Sequence, residues 1–153
     1  MASAQLAQAG KGASELGRAV EALTQLARIL ERANPELGLS HYRVLSLVAA
    51  GDARASRLAR RLALGKPAIS AAVESLVGRG LLTRSAGEED RRAIRLEITG
   101  PGRRALARAR AAMSAELAEV VGHCPDPAGA VAAFENLALG LELRQAARAT
   151  PTS

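Results

Sequence analysis

Aromatic residues are almost missing from this chain. Tyr42 and Phe134 are the only two, and tryptophan is absent. A core without rings must be built from Leu, Val, Ile and Ala, a set that suits helices packed closely over small side chains. Cysteine is nearly absent too: Cys124 stands alone, which excludes an intramolecular disulfide framework. Histidine is limited to His41 and His123. These and one thiol provide no recognisable nucleophile and base, so no enzyme is expected. The adjacent His123 and Cys124 are too few ligands for a metal site, and no cofactor loop rich in glycine is present. No apolar run approaches the roughly 18 residues of a membrane-spanning helix. The opening MASAQLAQAGKGASELG has no basic segment followed by an apolar one, as a secretory signal would. A reduced, cytoplasmic protein without membrane contact is expected.

Lysine is the last scarcity. Only Lys11 and Lys66 occur, so the remainder of the 21 basic residues are arginines. Their distribution is uneven. Residues 54–104 hold twelve basic residues against five acids, a local charge of +7. The total is +6, so the rest of the chain carries −1. Compositional bias toward arginine would load the flanks as well. A basic centre between near-neutral flanks points to a polyanionic partner.

What is present reads mainly as helix. Apolar residues make up 48% of 153 residues, enough for one domain with a real core. Residues 1–12 are small and polar and read as a flexible arm. Ser14 is placed to cap a helix whose apolar stripe runs through Leu16, Val20, Leu23, Ala27 and Leu30 and stops at Asn34-Pro35. Ser40 is placed to cap the next, which ends at Gly51-Asp52. A short helix follows with Leu58 and Leu62 inside and Arg54, Arg57, Arg60 and Arg61 outside. Another begins near Pro67 and buries Ile69, Val73, Leu76 and Val77. Leu81 to Arg84 reads as a short strand, and Ile94 to Ile98 alternates strictly, as a half-buried strand does. Thr99 caps a long helix with Pro101 in its first turn. Asp126 caps the last one, which carries Val131, Phe134, Leu137, Leu141 and Leu143.

Two helices joined by a short turn and followed by a two-stranded hairpin make a winged helix-turn-helix. The segments LARRL from Leu58, ISAAVESL from Ile69, GLLTR from Gly80 and DRRAIRLEITGPG from Asp90 resemble the MarR family of bacterial transcriptional regulators. The resemblance covers about residues 14–148 by element order, with its specific motifs within 58–102. The fold expected is mainly α: a winged helix-turn-helix with a β-hairpin wing and terminal dimerisation helices. The lobe spans 37–98, the helical dimerisation region 13–36 and 99–148, and residues 149–153 form a loose tail.

A helix entering the major groove buries one face and offers the other to DNA. Lys66, Pro67, Ala68, Ser70, Ala71, Glu74 and Ser75 remain for that outer face. Alanines stand at 68 and 71, where the family often carries threonine and arginine, and Ala63 replaces the usual turn glycine. Direct base reading is therefore expected to be thin. The resemblance puts Arg92 at the wing tip, directed at the minor groove, with Arg91 beside it. Asp90 is a candidate brace for an arginine there. Arg54, Arg57 and Arg60 are candidate phosphate contacts, and Arg84 is a further DNA-binding candidate.

The apolar stripes of the first and last helices are hard to cover in one small chain. A two-fold homodimer on a palindromic operator is expected, and the resemblance implies the same. It also implies a small-molecule effector and repression, with His41, Tyr42 and Arg43 as effector-binding candidates. The alternative is a winged-helix module for dimerisation or protein contact without specific DNA binding.

Overall fold

The chain terminates its helices with the devices that its glycines and threonine allow, and these position the lobe. In the computed structural model residues 2–51, 55–62, 65–86 and 94–149 are described. The elements in order are α1 (Ala2–Ala33), α2 (Leu39–Ala49), α3 (Ala55–Leu62), α4 (Lys66–Gly78), β1 (Leu82–Ala86), β2 (Ile94–Ile98), α5 (Gly100–Gly122) and α6 (Pro127–Ala149). This is the mainly helical winged architecture expected.

Gly80 ends α4. Its φ of 67° is the left-handed region where a side chain is unfavourable. The Gly80 amide donates to the Val77 carbonyl at 2.9 Å, and the Leu81 amide donates to the Leu76 carbonyl at 2.9 Å. That pair of bonds is the Schellman arrangement, and its apolar ends, Leu76 and Leu81, are both buried. The turn delivers the chain directly into β1. β1 and β2 pair antiparallel, with Leu82 opposite Ile98 and Ala86 opposite Ile94. Leu82 and Leu96 lie on one face and are each 2% exposed. This face fastens the base of the wing to the core.

The core is aliphatic throughout. Val44 and Leu45 of α2, Leu58 of α3, Ile69 and Leu76 of α4, and Leu106 of α5 meet there. Removing one such leucine side chain would cost about 2–5 kcal/mol. Ala105 and Ala109 are also buried, which lets α5 approach its neighbours closely.

Several local expectations change. α1 begins at Ala2, so the backbone is helical where a loose arm over 1–12 was expected. Alanine, glutamine and leucine are strong helix formers and continue the helix past Gly10 and Gly12. Ser14 is consequently inside the helix, and its hydroxyl accepts a bond from Arg18 Nη1 at 3.1 Å. α2 starts at Leu39 behind Gly38, with no side-chain cap; Ser40 lies in its first turn. β1 begins at Leu82, one residue later than expected, because Leu81 completes the turn after α4. The caps at Thr99 and Asp126 occur as expected, accepting from the Gly102 amide at 3.0 Å and the Gly129 amide at 2.9 Å. The expected tail beyond 149 lies outside the described residues.

Candidate nucleic-acid interface

The amphipathic split of α4 sets up the site. Ile69, Val73 and Leu76 point inward, so Lys66, Pro67, Ala68, Ser70, Ala71, Glu74 and Ser75 are left exposed as one outer face. Pro67 in the first turn removes an amide that would have had no helical partner. The face is low in relief because Ala68, Ser70, Ala71 and Ser75 are short. Such a face admits close approach of a groove wall, and alanine methyls can touch thymine methyls. Lys66 and Ser70 can donate hydrogen bonds, and Glu74 can accept one from a cytosine amine.

α3 precedes this helix and is split more sharply. Leu58 and Leu62 are buried, while Arg57, Arg60 and Arg61 are exposed. Three arginines within five positions make its outer side strongly positive and suited to phosphate oxygens. On the wing, Arg84 is exposed and pairs across from Leu96, at the outer end of the face that Leu82 buries. Ser85 donates to the Glu97 carboxylate at 2.9 Å on the opposite face. Arg54, Asp90, Arg91 and Arg92 lie outside the described residues.

The three consecutive residues at the start of α2 go separate ways, because neighbours on a helix do not share a face. Tyr42 packs against the core. His41 is half-buried, and burial first, then the Arg79 guanidinium, holds its imidazole below the ordinary range. Arg43 Nη2 donates to the Leu62 carbonyl at 3.4 Å and lines a cleft of about 570 Å³. That cleft also takes in Arg144 and Arg148 of α6, which sequence reasoning passed over. Their signal was present as two arginines four residues apart at the end of the helix.

Arg79 was not picked as a site residue either. Its Nη2 donates to the Glu36 carbonyl at 2.7 Å and ties the end of α4 to the segment before α2. At the far end of α5, His123 Nδ1 donates to the Glu119 carbonyl at 2.8 Å, and Cys124 Sγ lies 3.6 Å from the Val120 carbonyl. Among the described residues no three His, Cys, Asp or Glu side chains gather as a metal site. Nor is any described helix long and apolar enough to cross a membrane.

Comparison with known proteins gives a consistent result. The sequence pattern of the MarR family matches residues 36–93. No curated protein sequence matches the chain. The fold is similar to that of wild-type MarR from E. coli in its apo form, with a TM-score of 0.69 at 19% identity over 82% of this chain and 96% of that one. It is similar to the transcriptional repressor CouR bound to a 23-mer DNA duplex, with a TM-score of 0.71 at 26% identity over 81% of this chain and 90% of that one. CouR from Rhodococcus jostii RHA1 bound to p-coumaroyl-CoA gives a TM-score of 0.67 at 22% identity over 88% and 92%. The MarR family pattern thus spans the helix-turn-helix and much of the wing, and the fold similar to these regulators extends through the flanking helices.

Proposed function

We propose that the protein is a dimeric, sequence-specific DNA-binding transcriptional regulator, acting as a ligand-responsive repressor in the cytoplasm. The observation that carries this reading is the juxtaposition of two surfaces. The low, exposed outer face of α4 follows directly on the arginine-rich outer side of α3. The first suits a groove and the second the phosphates beside it. Arg57, Arg60 and Arg84 act as phosphate contacts, together with Arg54. Lys66, Pro67, Ala68, Ser70, Ala71 and Ser75 lie along the bases. Arg92 reaches the minor groove from the wing tip, with Arg91 beside it and Asp90 holding an arginine in position. The structure of CouR on a DNA duplex supports this use of the fold.

Dimerisation is supported by the apolar side chains of the terminal helices. Leu16, Val20 and Leu23 of α1 are 47–70% exposed, and Val131, Leu137, Leu139 and Leu143 of α6 are 46–62% exposed. Large apolar side chains left exposed in these numbers on two helices favour an interaction site. A two-fold pair covers it and sets two copies of α4 on a palindromic operator. A small-molecule effector acting near His41, Tyr42 and Arg43 completes the reading. CouR has been solved with p-coumaroyl-CoA, which supports a ligand-responsive relative.

The test is binding to DNA from the gene's own upstream region at two salt concentrations. A regulator binds with a steep salt slope and keeps its preference over random DNA. A winged-helix module used only for pairing has the same apolar stripes but no such preference. Equal affinity for both DNAs at every salt concentration rules out the specific regulator.

A further inference from the structure

The end of α4 is held to α5 at two separate places. The Thr99 hydroxyl, which caps α5, donates to the Gly80 carbonyl. The second link runs through the segment before α2. Arg79, the residue that closes α4, donates from Nη2 to the Glu36 carbonyl at 2.7 Å. The Glu36 carboxylate in turn accepts from Arg108 Nη2 of α5 at 3.4 Å. Glu36 is a firm seat for this relay. Pro35 restricts the backbone before it, and Leu37 after it is buried in the core. Thr99 and Arg108 stand nine residues apart, about 13 Å along the axis of α5. A single tether leaves a helix free to pivot about it. Two tethers spread along α5 oppose that rotation.

We propose that Arg79, Glu36 and Arg108 form a positioning relay that sets the angle of α4 against α5, and through it the half-site spacing that the dimer accepts. The role in spacing rests on the proposed dimeric regulator, in which α5 belongs to the pairing scaffold and α4 to the groove. In a two-fold dimer the angle of each α4 decides the distance between the two copies, and operator spacing mirrors that distance. The Arg108 and Glu36 side chains are 64% and 71% exposed, so their pairing adds little to stability. Its removal leaves the fold in place and frees the angle.

The experiment uses the full chain and operators built from the upstream DNA, with one base pair inserted or deleted between the half-sites. Wild type is expected to favour the native spacing strongly. Arg79→Gln is expected to shrink that preference about tenfold, since a bond from a charged donor is lost. Glu36→Ala and Arg108→Ala are each expected to shrink it about threefold. All three should keep the melting temperature and the salt slope of wild type. The Glu36→Ala, Arg108→Ala double variant is expected to be no worse than either alone, because the two side chains act as one link. Plain charge effects give a different pattern: loss of Glu36 strengthens DNA binding and loss of Arg108 weakens it, at every spacing alike. That pattern, or an unchanged spacing preference, overturns the relay. A lower salt slope for Arg79→Gln makes this residue a phosphate contact, which also overturns it. Without DNA, spin labels on Ser75→Cys and Ser114→Cys in a Cys124→Ser chain, diluted with unlabelled protein, report the distance between α4 and α5. Its distribution is expected to broaden in each variant, and an unchanged width overturns the relay. A broadened distribution in a chain with no preference for its DNA upholds the relay within the fold and removes the proposed regulator function.

Discussion

The Thr99 hydroxyl accepts a hydrogen bond from the Gly102 amide at 3.0 Å, and it donates its own proton to the Gly80 carbonyl at 2.7 Å. One side chain thus caps α5 and ties that cap to the turn that ends α4. The Thr99 amide adds a bond to the Leu81 carbonyl at 3.2 Å. Thr99 therefore fixes where the wing leaves and re-enters the helical core. Thr99→Ala is expected to destabilise the fold by about 1–2 kcal/mol, as cap removals do, measured by denaturant titration. Thr99→Ser keeps the hydroxyl and should recover most of it. An alanine variant as stable as wild type would mean the cap is redundant.

Gly102 has a different constraint from the glycines of the turns. It is buried in α5, and a Cβ there would overlap the Leu81 carbonyl and crowd the Ile98 side chain. The backbone carbonyl cannot swing aside as a flexible side chain does. Gly102→Ala is expected to cost about 1–3 kcal/mol of stability despite alanine's better helix propensity. Thermal unfolding checks it; a stabilised variant would show that α5 shifts freely against the wing base.

The proposed DNA contacts separate into two kinds. Arg92→Ala is expected to weaken binding by roughly 1–3 kcal/mol if the wing reads the groove. Arg57→Ala and Arg60→Ala should weaken binding to every sequence alike and lower the salt slope by about one each. Fluorescence anisotropy across a salt series distinguishes the two patterns. An unchanged affinity for Arg92→Ala would return that residue to an ordinary solvated loop charge.

Leu137 is 53% exposed on α6 and makes a direct probe of association. Leu137→Glu is expected to leave the fold intact, since the side chain is not in the core, and to shift the protein to a monomer. Sedimentation velocity at micromolar concentration reports this. A wild-type protein that already sediments as a monomer would overturn the dimer.

His41 gives a pH dependence with a definite sign. Its folded pKa lies below the ordinary 6.5 because burial, and then Arg79, disfavour the imidazolium. The unfolded chain binds the proton more readily, so stability rises with pH in this window. The contribution is fully present above about pH 6.5 and is lost as the pH falls toward and through the lowered folded value. The melting temperature should decline on acidification through this range, and His41→Gln should decline less. Identical slopes would assign the acid sensitivity elsewhere.

The winged helix-turn-helix was readable from the sequence because its signals are local. Apolar spacing in α4, strict alternation in β2, and the caps Thr99 and Asp126 each depend on residues a few positions apart. Alternation at 94–98 and burial of Leu96 agree for that reason. The start of α1 was misread for the same reason: Ser14 is a good cap in isolation, yet the helix-forming residues before it carry the helix through. Sequence also displayed the stripes on α1 and α6 but not whether the chain itself would cover them. Only the tertiary arrangement decided that Leu16, Val20, Leu137 and Leu143 stay exposed. It alone brought Arg144 and Arg148 to one cleft with Arg43 and the arginines of α3. Periodicity tells which face of a helix is apolar. Which helix lies opposite depends on the directions and lengths of segments far apart in the chain, and packing sets those.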